Sequence, residues 1–282
     1  MLATLAAEFW EGLAEAHPLE ATYRGDRRFD DRMDDITPEA TERERLRLLD
    51  IATRAEAIPE ADLRPADRVT RGALIAEAAG GAAVNALDLE AWTVDPLEGW
   101  HIQLQNISSY QPVSVPDQAG AMVRRWRTFA PQLDQVVANL RRGAADGRVA
   151  VRTPVAKVVD AIGGTLEVAD DDSPFLAALR EPHEDWSQEH RSRFSNHLTA
   201  TLHEQILPAL TRYRTFLADE ILPRARPDET PGLLALPGGV AAYRTLVRYH
   251  TTLDLEPEAV HETGLSEVAR INAEMGALGR LV

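Results

Sequence analysis

Apolar residues recur every three or four positions along most of this chain, most regularly between His190 and Leu278. Phe194, Leu198, Leu202, Ile206, Leu210, Tyr213, Leu217 and Ile221 fall on one stripe of a helix of about nine turns, and a stripe that long must be buried. Pro223, Pro227, Pro231-Gly232 and Pro237-Gly238-Gly239 then break the pattern, and Ala241 to Thr251 begins a new amphipathic segment. A third helix follows from Pro257, carrying Val260, Gly264, Val268, Ile271, Met275 and Leu278 along one side. It ends on Gly279-Arg280-Leu281-Val282 with its apolar face still running, so it calls for a partner surface.

The same reading applied from the start gives a first helix through Leu2, Leu5, Ala6, Phe9 and Leu13, stopped by Pro18 after His17. Asp30, Asp31, Asp34 and Asp35, mixed with Arg24, Arg27, Arg28 and Arg32 around Phe29 and Met33, predict an irregular, solvated, salt-bridged connection. Thr37-Pro38-Glu39 combines a cap, a first-position proline and a first-turn acid, and predicts a helix to Ile58. The next helix starts near Pro65 and runs toward Leu89, with Gly80-Gly81 marking a break or a close helix crossing.

From Ala91 to Pro116 the period is lost, and Trp92, Trp100 and Tyr110 either cover the core or line a pocket. Asp117 then caps a helix through Met122, Trp126, Phe129, Leu133, Val136 and Leu140, bent at Pro131. Another opens at Thr153-Pro154. The sum is an all-α protein, an irregular array of about ten helices with Pro/Gly-rich junctions and no strand. It reads as one helical unit over 1–282, with a candidate division into 1–116 and 117–282.

Composition narrows the function classes. A formal charge of −15 argues against nucleic acid as a partner, because phosphate binding needs clustered Lys and Arg, and Lys157 is the only lysine. The absence of cysteine removes disulfides, thiolate metal sites and a thiol nucleophile. The N-terminal stretch carries Glu8, Glu11 and Glu15 inside its apolar repeat and is a poor signal peptide. No apolar run reaches the ~18 residues of a membrane span, so a cytoplasmic location is expected.

Candidate chemistry is sparse. Asp30, Asp31, Asp34 and Asp35 lack the ligand order and central glycine of a calcium loop. His183, His190 and His197 stand seven apart, about 10.5 Å along a helix, too far for neighbours to share one zinc. Glu258-Ala-Val-His261 has the Glu-x-x-His spacing of carboxylate-bridged metal bundles. Alone it reads as a helix start with a flanking histidine. His-Glu occurs at His183, His203 and His261 without the following histidine that a zincin needs. Neither a nucleophile elbow nor a phosphate loop is present. What remains is the start of the helix after the glycine pair. There Gly238, Gly239, Tyr243, Tyr249 and His250 either frame a polar, substrate-binding cleft beside free backbone amides or form core with the tyrosine hydroxyls tied to carbonyls.

Several short motifs occur in a specific order: His17-Pro18 with Ala21-Thr22 and Gly25, Val94-Asp95-Pro96-Leu97, and Gly147 with Thr153-Pro154. They are followed by Leu236-Pro237-Gly238-Gly239, Tyr243, Tyr249, Thr251-Thr252 and His261-Glu262-Thr263-Gly264-Leu265 running into Val268-Ala269-Arg270-Ile271. In this order, over almost the whole chain, they resemble the N-terminal half of the bacterial DUF885 family. The resemblance implies helical zinc metallopeptidases of the His-Glu-x-x-His type, typically about twice as long, with the zinc motif in the C-terminal half. This chain does not contain that half, so no metal ligand or catalytic glutamate is carried onto it. The resemblance implies that no cofactor is held here and that zinc sits only in the missing part. The partners it implies are that C-terminal half, or a second chain, and a peptide-like substrate. A free-standing, non-catalytic helical binding or scaffold module is the alternative reading.

Overall fold

Proline opens six of the helices, because at a helix start its missing N–H is one the helix cannot use. The computed structural model describes residues 1–280, so the Leu281-Val282 end of the predicted last helix lies outside the described residues. In chain order Leu2–Ala16 forms α1, Pro18–Tyr23 α2, Pro38–Glu56 α3 and Pro65–Asn85 α4. Trp100–Ser108 forms α5, Pro116–Ala145 α6, Arg152–Leu166 α7 and Gln188–Thr201 α8. Leu207–Phe216 forms α9, Gly239–Thr251 α10 and Pro257–Leu278 α11. Among the described residues there is no strand, only one isolated parallel bridge between Val151 and Arg226, so the chain is all-α. No helix is long and apolar enough to cross a membrane among the described residues.

Two apolar cores hold the array. Leu2, Leu5 and Phe9 of α1 meet Leu48, Ile51 and Ala55 of α3 and Leu74, Ala78 and Ala82 of α4 in the smaller one. The larger is built around α6, whose Met122, Trp126, Phe129, Leu133, Val136 and Leu140 are each at most 2% exposed. Burying such side chains contributes about 1.5–3 kcal/mol each, which makes α6 the central strut. Leu19, Met33, Ile36, Leu104 and Ile107 pack into the same core, so apolar contacts run across positions 116 and 117.

The long stripe from Phe194 to Ile221 is buried at all eight positions, on one path through α8, a π turn at Leu202–Ile206, α9 and a second π turn at Leu217–Ile221. The stripe advances 27 residues in seven turns, where a regular helix needs about 25. Each π turn takes up one of the two extra residues and keeps the leucines on the core side. Both turns precede a proline, Pro208 or Pro223, whose ring would clash with the carbonyl four residues back in a regular helix.

Four local expectations need correction. A helix, α5, occupies part of the stretch from Ala91 to Pro116. Its inner face is only His101, Leu104 and Ile107, and polar Gln103, Gln105 and Asn106 mask the period. Asp117 is not the cap of α6: Pro116 takes the first position, Asp117 falls in the first turn, and the Gln118 side chain accepts from the Ser114 and Val115 N–H groups. α6 is one unbroken helix through Pro131, which sits on the exposed face where the unpaired carbonyl of Arg127 meets water.

The aspartate-rich connection between α2 and α3 is not a solvated loop. Residues 29–36 lie along α6, and the side chains of Arg125, Thr128, Gln132, Gln135 and Asn139 bond their backbone. Those five positions follow each other at three- and four-residue steps, a polar stripe beside the apolar one. Asp30 is buried among them, accepting from the Thr22 hydroxyl at 2.5 Å.

Candidate functional site

The Leu-Pro-Gly-Gly run sets the start of α10 by backbone necessity. Gly238 is the left-handed cap residue, at φ +72°, and a Cβ on Gly239 would lie 1.7 Å from the Leu233 carbonyl oxygen. The helix that follows carries Tyr243 and His250 two turns apart on one face. Tyr243 is 40% exposed and Tyr249 36%, so neither is core. The Tyr249 ring lies edge-on to His250, with centroids 5.1 Å apart, and leans on α4 at Gly80, where an added Cβ would stand 2.8 Å from Tyr249 Cδ2. The glycine pair in α4 is therefore a close crossing and not a break: Gly80 admits Tyr249, and Gly81 admits Leu48. Phenol and imidazole are presented on an open surface, beside α11.

α11 is exposed along its whole described length. Its periodic apolar residues stand in solvent, with Leu265 59% exposed, Val268 56%, Met275 65% and Leu278 63%. The histidines are dispersed. His183 precedes α8 and stacks on Trp186 at 4.1 Å, so it does not share a helix with His190 and His197. His203 bonds Asp170 at 2.8 Å, and His261 is exposed on α11. The Glu-x-x-His spacing recurs at Glu98 and His101, a match the sequence reading passes over, but Glu98 is exposed and His101 is buried. No three His, Asp or Glu side chains converge as a metal site among the described residues, so zinc finds no ligand set in this part of the chain.

The residues that do converge were not singled out in the sequence as a group. Between α1, α3, the end of α4 and the connection after α2 lies a cleft of about 510 Å³. His17, the residue between α1 and α2, faces Asp34 at 3.6 Å, and Asp34 also accepts from the Leu19 N–H. Burial pushes the His17 imidazole down, but the Asp34 hydrogen bond and the charges of Asp34 and Glu44 outweigh it, so its pKa is raised. Glu44 is clasped by Arg47 through two bonds of 2.7 Å. Asp88, in left-handed backbone at φ +53°, is held by Arg142 and Arg148. Burial alone would raise the Asp88 carboxyl, and the two arginines bring it below the usual range. Glu90 accepts from the Trp100 indole N–H at 2.8 Å, and burial, with Asp34 and Asp88 nearby, pushes its carboxyl up. Trp100 thus lines a cleft, while Tyr110 is exposed.

A histidine held charged near a carboxyl held neutral is an arrangement that can bind polar groups and hold protons at defined atoms. The sequence carried one trace of it, His17-Pro18 at the head of the motif series. The other members come from separate elements and show no common spacing.

No curated protein sequence matches the chain. Among solved structures, one described as that of a lipoprotein from Colwellia psychrerythraea superposes with a TM-score of 0.84 at 20% identity, covering 97% of this chain and 49% of that one. The shared fold therefore extends over nearly all of this chain, which spans about half the length of that protein. The sequence profile described as bacterial protein of unknown function (DUF885) matches residues 18–282, the span that holds the cleft, α10 and α11, and the chain belongs to that family.

Proposed function

We propose that this chain is the helical, substrate-cleft portion of a metallopeptidase-like hydrolase, acting with a zinc-bearing polypeptide that lies outside it. Support comes first from the resemblance of its ordered motifs to the N-terminal half of such proteins. The observation that carries the reading is the uncovered face of α11 together with Leu253 and Leu255, an apolar surface larger than a soluble monomer ordinarily exposes. In this reading that face packs against the zinc-bearing part, and Tyr243, Tyr249 and His250 on α10 stand at the seam, where they touch a peptide-like substrate. Gly238 and Gly239 serve by fixing where α10 begins. The chain by itself does not catalyse.

The test mixes the purified chain with the downstream half of a full-length family member that carries a His-Glu-x-x-His motif. Zinc, tight association and hydrolysis of a fluorogenic peptide set are measured. Hydrolysis by the mixture that a chelator abolishes, with none from this chain alone, is the expected result. Chelator-insensitive hydrolysis by this chain alone, or a mixture that neither associates nor cleaves, would overturn the reading.

A further inference from the structure

Nearly every acid that lines the cleft between α1, α3 and α4 has a cationic neighbour within the protein. Glu44 has Arg47, Asp35 has Arg43 at 3.7 Å, Asp88 has Arg142 and Arg148, and Asp34 has His17. Exposed Glu15 at the rim can rely on water. Glu90 differs: it is only partly exposed, its one protein donor is the neutral Trp100 indole, and no cationic group of the described residues comes within 4 Å of it. A carboxylate offers about four acceptor positions, so most of those on Glu90 are open. Removing such a group from water without a counter-charge is costly, and its upward-shifted pKa reflects that cost.

The surrounding wall is apolar, with Met33, Ile36, Val84 and Leu89 beside the Trp100 ring. The volume of about 510 Å³ falls in the range that encloses small ligands. We infer that this cleft binds a primary ammonium on a short apolar stem, with the ammonium on Glu90 and the stem against Met33, Ile36 and Leu89. An ammonium supplies three donors and one positive charge, which is what Glu90 lacks. An anion would face Glu90, Asp34 and Glu44, and a divalent metal would need three or more ligating side chains brought together, which the described residues do not provide. Two sources share this chemistry, a free small amine and the amino end of a peptide. The inference does not rest on the hydrolase reading and fails or stands apart from it.

The test titrates the 282-residue chain with butylammonium chloride, with the dipeptide leucyl-leucine and with neutral 1-butanol, following the Trp100 indole N–H resonance assigned through Trp100→Phe. Butylammonium is expected to shift that resonance saturably, and 1-butanol to leave it in place. Glu90→Gln keeps an acceptor for Trp100 and is expected to weaken the ammonium by roughly tenfold or more. Val84→Trp fills the apolar end without touching the carboxyl and abolishes binding. Binding of the dipeptide alongside butylammonium identifies the amino end of a peptide as the source, and binding of butylammonium alone identifies a free amine. An equal response to 1-butanol, no response to either ammonium, or unchanged affinity in both variants would overturn the inference.

Discussion

Arg125 Nη2 on α6 lies 3.8 Å from Asp30 Oδ1, with the arginine side chain wholly buried and the aspartate nearly so. The guanidinium is held less by that ion pair than by neutral acceptors. The Arg32 and Phe29 carbonyls, the Thr22 hydroxyl and the Gln111 side chain all receive its protons. Burial pulls its pKa down to about 10, against the pull of Asp30, so it stays charged at neutral pH. Removing one partner of such a network strands the other. Arg125→Met is expected to lower unfolding free energy by about 3–5 kcal/mol, and adding Asp30→Asn should restore part of the loss, as measured by urea unfolding of the single and double variants.

His101 gives the chain an acid-sensitive point. It is 3% exposed, neither ring nitrogen has a protein partner, and burial lowers its pKa to about 4. The folded chain therefore resists taking up a proton that the unfolded chain accepts near the ordinary value of 6.5. This stability is present above that value and is lost as pH falls toward 4. His101→Leu should remove on the order of 2–3 kcal/mol of that pH dependence, seen as a flatter unfolding midpoint between pH 6.5 and 4.

Gly239→Ala places a methyl against the Leu233 carbonyl, where no flexible side chain can give way. The expected loss is about 1–3 kcal/mol, felt locally. Amide hydrogen exchange should quicken along α10 and leave α6 unchanged. Gly238→Ala also strains the helix start, through its positive φ, but meets no atom within 4 Å and should be milder.

Glu90→Gln keeps the acceptor for Trp100 and removes a charge that burial disfavours. Because the folded-state pKa is raised, the wild-type carboxyl is harmless while protonated at low pH and becomes destabilising as pH rises through the carboxyl range. The variant is expected to unfold at a higher temperature at pH 7 and to match the wild type near pH 4, by calorimetry at both values.

Much of the architecture is written in the spacing of apolar residues. The eight positions from Phe194 to Ile221 are all buried, as their period demands, and Thr37 caps α3 by accepting from Ala40. The same kind of period on α11 ended in solvent, because periodicity states that a helix needs a neighbour and does not supply one. The polar stripe Arg125, Thr128, Gln132, Gln135, Asn139 was readable by the same rule, but only to a search for polar repeats. Gly238, Gly239, Tyr243, Tyr249 and His250 are placed together by one helix start, as their closeness in sequence required. His17, Asp34, Glu44 and Glu90 are not close in sequence. Their meeting depends on how α1, α3 and α4 dock, which no local pattern records.

The two wide turns at Leu202–Ile206 and Leu217–Ile221 make this long helix sensitive to length in an unusual way. Loss of one residue inside the first would let the coil tighten to its ordinary winding, yet would swing everything beyond it by about 100°. Leu210, Tyr213 and Leu217 would leave the interior, and Thr211 or Arg212 would be driven toward it. Length there is thus a determinant of which side chains are sheltered, as binding on the fold as the identity of any single leucine.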